Sequence, residues 1–371
     1  MKGLAVNASI LDPILSGLGV YTVNLIEELK TLHDDLLVYS AQPDVLSKGR
    51  IRIKHIPMSM GPAYGKRGHL RRLLWTQFVL SREIIRDKAT ALLCPIPEGI
   101  LGGSVPQYVV VHDVTPLRFP KEYLLQWGFY QSYVRVLLRK VRRVITVSAQ
   151  TKSDVIQFLG VHTSGIDVVP GGCNHELFHP GIRSDSVKEK YQLEDYVLYV
   201  GNFHPHKNLL RLIQAFSRVA AVSQLQLVIA GKKDARFFPG LQAEVERLGV
   251  KEKVVFLGYV SLQDLPGLYA GASSFILPSL YEGFGLPLLE AMACGVPVIT
   301  GNSGAMKEVI GDAGVLVDPT RPDDLADAMH QVVANRGVRE ALSHAGIERA
   351  RHYSWRRTAQ KISNIIQEDR P

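Results

Sequence analysis

Ser279-Leu-Tyr-Glu-Gly-Phe-Gly-Leu-Pro-Leu-Leu-Glu-Ala-Met-Ala-Cys-Gly295 follows the apolar run Ser274-Phe-Ile-Leu-Pro278. The run has the composition of a buried parallel strand, and residues 288–294 are strong helix formers that stop at Gly295. The segment therefore reads as strand, glycine loop, helix. Gly283 and Gly285 let the backbone approach a ligand, and Pro287 suits a first helical turn, where a missing N–H costs little. Loop amides and the positive end of a helix favour an anion, most naturally a phosphate. Two carboxylates, Glu282 and Glu290, would repel that phosphate, so they are expected to hold hydroxyl groups instead. The combination predicts one ligand that carries phosphates and sugars together.

The same strand, glycine turn and helix recur along the chain. Lys2–Asn7 leads into Ser16-Gly-Leu-Gly-Val-Tyr21, with Gly17 and Gly19 in the turn and helical spacing over 22–29. Tyr196-Val-Leu-Tyr-Val-Gly-Asn-Phe-His-Pro-His-Lys-Asn208 delivers Asn202 and then Lys207 just before another amphipathic helix, where an ammonium can meet a diphosphate. Gln107-Tyr-Val-Val-Val-His-Asp113 ends a buried strand with His112, and ligands in open α/β sheets sit past the carboxyl ends of strands. Further strands are expected at 36–40, 51–56, 143–147 and 166–169, and in the second half at 225–231, 254–258, 297–300 and 315–318. The fold class is thus α/β with two doubly wound sheets.

A length of 371 residues allows two domains, each with its own core. Three widely spaced cysteines, Cys94, Cys173 and Cys294, make neither a disulfide framework nor a zinc site and point to a reducing cytoplasm. The N-terminus enters a strand directly, so no signal peptide is expected, and no apolar run is long enough to span a bilayer. The net charge of +8 favours anionic partners such as phosphates, nucleic acid or an anionic leaflet. Residues 66–80 join a basic start to an apolar set of Leu70, Leu73, Leu74, Trp75, Phe78 and Val79, and 135–143 is basic again. Such segments are either packed helices with solvated basic ends or surfaces that meet anionic lipid.

Glu282 and Glu290 are eight apart, and the string Tyr-Glu-Gly-Phe-Gly-Leu-Pro-x-Leu-Glu-Ala-Met-Ala-Cys-Gly-x-Pro-Val over 281–298 resembles retaining glycosyltransferases of family four, which have the GT-B fold. The resemblance covers nearly the whole chain. It implies two Rossmann-like domains facing across a cleft: an acceptor-binding domain over 1–180, with a C-terminal helix at about 355–371 crossing back to it, and a donor-binding domain over 181–354. The Val-Pro-Gly-Gly-x-Asn-x-Glu-x-Phe pattern, here 169–178, marks the exit from the first.

The resemblance also implies roles. Lys207 matches the phosphate-binding lysine, Glu282 faces the sugar, Glu290 in the first helical turn accepts from the ribose, and Phe284, Gly285 and Leu286 contact sugar and phosphate through their amides. Gly17 and Gly19 match the N-terminal glycine loop near the donor phosphate, Tyr259 and Val260 lie where relatives hold the nucleobase, and His112 matches a histidine near the transferred sugar. Asn202 departs from the pattern, since many relatives carry an arginine there. The implied reaction moves glucose or mannose from UDP or GDP to a carbohydrate or lipid-linked saccharide acceptor, with front-face attack in which the leaving phosphate takes the acceptor proton. No metal or other cofactor and no nucleic-acid partner is implied, and no D-x-D motif stands in a suitable loop. Surface-polysaccharide assembly in a bacterial cytoplasm, with contact to an anionic membrane, fits this reading. An epimerase or phosphorylase of the same architecture, or a non-enzymatic nucleotide-sugar binder, remains open here.

Overall fold

Short apolar strands alternating for the most part with helices give two all-parallel sheets. The computed structural model describes residues 2–47, 49 and 51–369. It divides into two compact units, Met1–Gly172 with Trp355–Pro371, and Cys173–Ser354.

The first unit holds a seven-stranded sheet in the order β3-β2-β1-β4-β5-β6-β7. Its strands are β1 Lys2–Asn7, β2 Asp35–Ser40, β3 Ile51–His55, β4 Ala91–Cys94, β5 Gln107–Val111, β6 Arg143–Thr146 and β7 Ile166–Val168. Every residue of β4 and β5 is buried, as expected for strands covered on both faces. The order reverses between β1 and β4, and a doubly wound sheet opens a crevice at the carboxyl ends of such a pair.

In the second unit, β8 Tyr196–Val200, β9 Gln226–Ala230, β10 Val254–Gly258, β11 Ser274–Leu277, β12 Val298–Gly301 and β13 Val315–Val317 pair in the order β10-β9-β8-β11-β12-β13. The reversal falls between β8 and β11, the strands that deliver Lys207 and the 279–285 loop.

Two expectations are corrected. The division comes after Gly172 rather than at 180, because 173–178 pack on the second unit: Cys173 N–H donates to Tyr353 O at 3.3 Å, and His175 Nε2 lies 2.9 Å from the same carbonyl. The helix expected over 22–29 spans Gly17–Leu32, so Gly17 and Gly19 form its first turn instead of a loop. Between the two readings of 66–80, part of the apolar set is exposed: the helix 65–75 turns Gly68 and Arg72 inward, while Leu70 and Leu74 and, beyond its end, Phe78 and Val79 are exposed. Leu73 and Trp75 are half-buried, and the inward Arg72 is held by the buried carboxylate of Glu98, with Nε–Oε2 at 2.5 Å and Nη2–Oε1 at 2.7 Å.

The helix Trp355–Glu368 belongs to the first unit and buries Ala359, Ile362 and Ile366 there. Thr358 Oγ1 donates to Pro170 O at 2.8 Å, and Trp355 meets the Tyr21 ring edge-on at 5.2 Å.

Candidate functional site

In the second unit the site is built at the β8/β11 switch point. After β8, Pro205–Lys207 forms a single 3-10 turn that Asn208 closes with φ +63°, a conformation Asn tolerates better than most residues. Asn208 Nδ2 donates to Pro278 O at 3.0 Å, and Leu280 N–H donates to His206 O at 2.8 Å. These bonds stitch the turn to the loop after β11. As a result Lys207 Nζ donates to both carboxylate oxygens of Glu282, at 2.7 and 2.8 Å, and Ser279 Oγ donates to Oε1 at 2.6 Å.

The Leu286–Ala293 helix starts at Gly285, whose φ of +98° favours glycine and whose added Cβ would lie 3.0 Å from Leu288 Cδ1. No side chain caps this end, so the first-turn amides keep their anion-binding potential. Phe284 packs edge-on against Tyr353 at 5.9 Å.

Glu290 is the fifth residue of this helix, not in its first turn as expected, because the helix begins at Leu286. Its residue keeps partial exposure while the carboxyl group is buried. Burial pushes that carboxyl up to about 7, opposed by the hydrogen bond from Tyr269 Oη at 2.8 Å. Its charge therefore changes near neutrality.

Glycine termini shape the same edge of the sheet. A Cβ on Gly231, φ +147°, would stand 1.7 Å from Gly201 O, so only glycine lets the ends of β8 and β9 approach this closely. Beyond them Tyr259, 54% exposed, and the buried Val260 follow β10. Asn202 is exposed, and its Oδ1 accepts from His204 N–H at 3.2 Å.

In the first unit the β1/β4 switch point brings together what the sequence placed far apart. His112, after β5, bonds through Nε2 to Pro95 O at 2.7 Å, just past β4. A carbonyl only accepts, so Nε2 carries the proton and Nδ1 is the acceptor of a neutral ring. Burial lowers the His112 pKa, against the raising influences of the Pro95 carbonyl and Asp113. Tyr21, in the helix begun by Gly17 and Gly19, meets the ring edge-on at 4.4 Å. A Cβ at the exposed Gly17 would touch nothing within 4 Å, so glycine is not required there by packing.

Sequence reasoning missed Ser279, Asn208 and Tyr269. Asn directly before a helix was the only local signal for any of them.

Residues 15–177 match the family model described as Glycosyltransferase Family 4, and 183–349 match that described as Glycosyl transferases group 1. The chain is 32% identical over 264 residues to O-antigen chain mannosyltransferase B of Escherichia coli, covering 68% of each. It belongs to the family-four glycosyltransferases. O-antigen chain mannosyltransferase RfbU of Salmonella typhimurium is 26% identical to this glycosyltransferase over 99% of its chain and 100% of the relative. Among solved structures, Anabaena HepE in complex with UDP and glucose superposes with a TM-score of 0.79 at 18% identity, covering 99% of this chain and 100% of that one, which establishes the GT-B fold.

Proposed function

We propose that this glycosyltransferase moves a hexose, mannose or glucose, from a nucleoside diphosphate to a saccharide acceptor of bacterial surface polysaccharide or glycolipid, with retention and without a metal. The observation that carries the reading is the Lys207 ammonium bonded to Glu282 in the loop that leads into the uncapped Leu286–Ala293 helix, past the carboxyl ends of two adjacent strands. Oriented amides and one ammonium can stabilise a departing diphosphate. The carboxyl of Glu290 is assigned to the ribose and Glu282 to the region of the sugar, with Phe284, Gly285 and Leu286 at the phosphate, Tyr259 and Val260 at the base, and Asn202 at a donor oxygen. In the first unit the neutral His112 presents Nδ1 as an acceptor for a sugar hydroxyl. The mannosyltransferase relatives support mannose as the sugar.

The test is incubation of the protein with labelled GDP-mannose and UDP-glucose, with and without EDTA and lipid-linked saccharide. Transfer unaffected by EDTA supports the reading. Epimerised donor, or binding without turnover, replaces it with one of the alternatives.

The partner reading extends to a lipid surface at the cytoplasmic face. Among the described residues no helix is long and apolar enough to cross a membrane. Two neighbouring helical runs of the first unit, 65–86 and 124–138, touch through His69–Phe129 at 4.8 Å and Gln77 Nε2 donating to Tyr133 Oη at 3.1 Å. Outward they expose Leu70, Leu74, Phe78, Leu124 and Leu125. Exposed Lys66, Arg67, Arg71 and Arg82 are interleaved with the first three. Apolar insertion with flanking cations fits an anionic bilayer. Flotation with vesicles containing anionic lipid should recover the protein at low salt; recovery equal on neutral vesicles, or none, ends this extension.

A further inference from the structure

Ser279 is fully buried, yet its hydroxyl is aimed at the carboxylate that holds Lys207. We propose that Ser279 is a positioning residue for donor binding: by sharing the charge of Glu282, it sets how strongly the Lys207 ammonium is held and hence how readily a diphosphate can claim it. The inference rests on the reading of Lys207 as the diphosphate ligand.

The frame around Ser279 is rigid. Asn208 fixes the carbonyl before it, His206 O accepts from the amide after it, and Ser303 Oγ donates to Leu280 O at 3.3 Å. Gly301 permits close approach on the other side, since a Cβ there would lie 2.9 Å from Ser279 O. The hydroxyl is thus presented to Glu282 Oε1 at 2.6 Å by backbone that has little room to move.

Glu282 receives two bonds from Lys207 and one from Ser279. A carboxylate whose charge is partly spread onto a hydroxyl is a weaker competitor for an ammonium than one bound to the ammonium alone. An incoming diphosphate competes for the same ammonium. Without the hydroxyl, Glu282 keeps its full charge for Lys207 and the diphosphate binds less well. Ser279 has no exposed surface with which to touch the donor, so its influence passes through Glu282.

Calorimetric titration with UDP and GDP of the full chain, S279A, S279T, E282Q and S279A/E282Q tests this. For the nucleotide that binds, S279A should weaken binding about three- to ten-fold, the scale of one hydrogen bond to a charged network. S279T should restore it. In the E282Q background, adding S279A should change affinity by less than about two-fold, as coupling through one partner requires. An equal loss in both backgrounds, or no loss in S279A alone, overturns the proposal. If the native protein binds neither nucleotide, the donor reading fails separately. A crystal structure of S279A then decides the positioning role: a Glu282–Lys207 pair with unaltered geometry and occupancy overturns it.

Discussion

Glu290 carries the clearest consequence at the scale of single residues. Desolvation raises its carboxyl from 4.5 to about 7, so it gains its charge through neutrality. A ribose hydroxyl donates best to a carboxylate, so nucleotide affinity should fall as the pH drops from about 8 to 6. Titration calorimetry across that range should show the fall in the native protein and its absence in E290Q. The stability consequence has the opposite sense. Because the folded value is raised, the contribution of this group is complete below 4.5 and is lost as the pH rises towards 7. Native protein should therefore lose stability relative to E290Q over that window, read as urea midpoints. The residue types at this site were legible in the sequence, since glycines, a lysine and two glutamates at those spacings are the types a phosphate with its sugars would need. Which atoms they hold in the free protein was not. Lys207 and Glu282 are separated by 75 positions, and their pairing follows from β8 and β11 being neighbours.

Among the elements, the helix Gly65–Trp75 is anchored by an ion pair more than by apolar burial. The Arg72 guanidinium holds the Glu98 carboxyl down at about 2 despite its burial, and Arg72 Nη1 also donates to Met60 O at 2.9 Å. Removing one partner strands the other's charge in the interior. E98A or R72A should each destabilise the first unit by about 3–5 kcal/mol in chemical denaturation, whereas E98A/R72M should recover part of the loss. Acid should act likewise: the folded value is depressed, so this stabilisation is present above 4.5 and lost as the pH falls towards 2. Sequence reading left the apolar face of this helix open between burial and exposure, because apolar spacing identifies a stripe but not its partner. It also missed β4, the central strand Ala91–Cys94. Ala-Leu-Leu-Cys is four residues long, has no β-branched side chain and contains good helix formers, so only its pairing with β1 and β5 makes it a strand.

For the whole molecule, the C-terminal helix ties the end of the chain to the first unit. Trp355, Ile362 and Ile366 are at most 5% exposed, and Arg143 holds Asp369 through Nε–Oδ2 at 2.8 Å. Each such side chain contributes about 1.5–3 kcal/mol when buried. A chain ending at Ser354 should thus show an early unfolding transition from the first unit, followed by fluorescence in urea. Nucleotide binding by the second unit should persist below that transition; a single unshifted transition would contradict the assignment.

The sequence by itself determined the repeating strand, turn and helix, hence two parallel sheets, and it placed the candidate site residues past the ends of strands. These follow from local composition, which is complete within a dozen residues. Strand order was decided only by the tertiary structure, because it depends on which apolar faces cover one another across the chain. That order sets Lys207 beside Glu282, buries the carboxyl of Glu290 against Tyr269, and brings His112 to Pro95. Distance, desolvation and shared protons belong to the assembled sheets, and no stretch of the chain carries them alone.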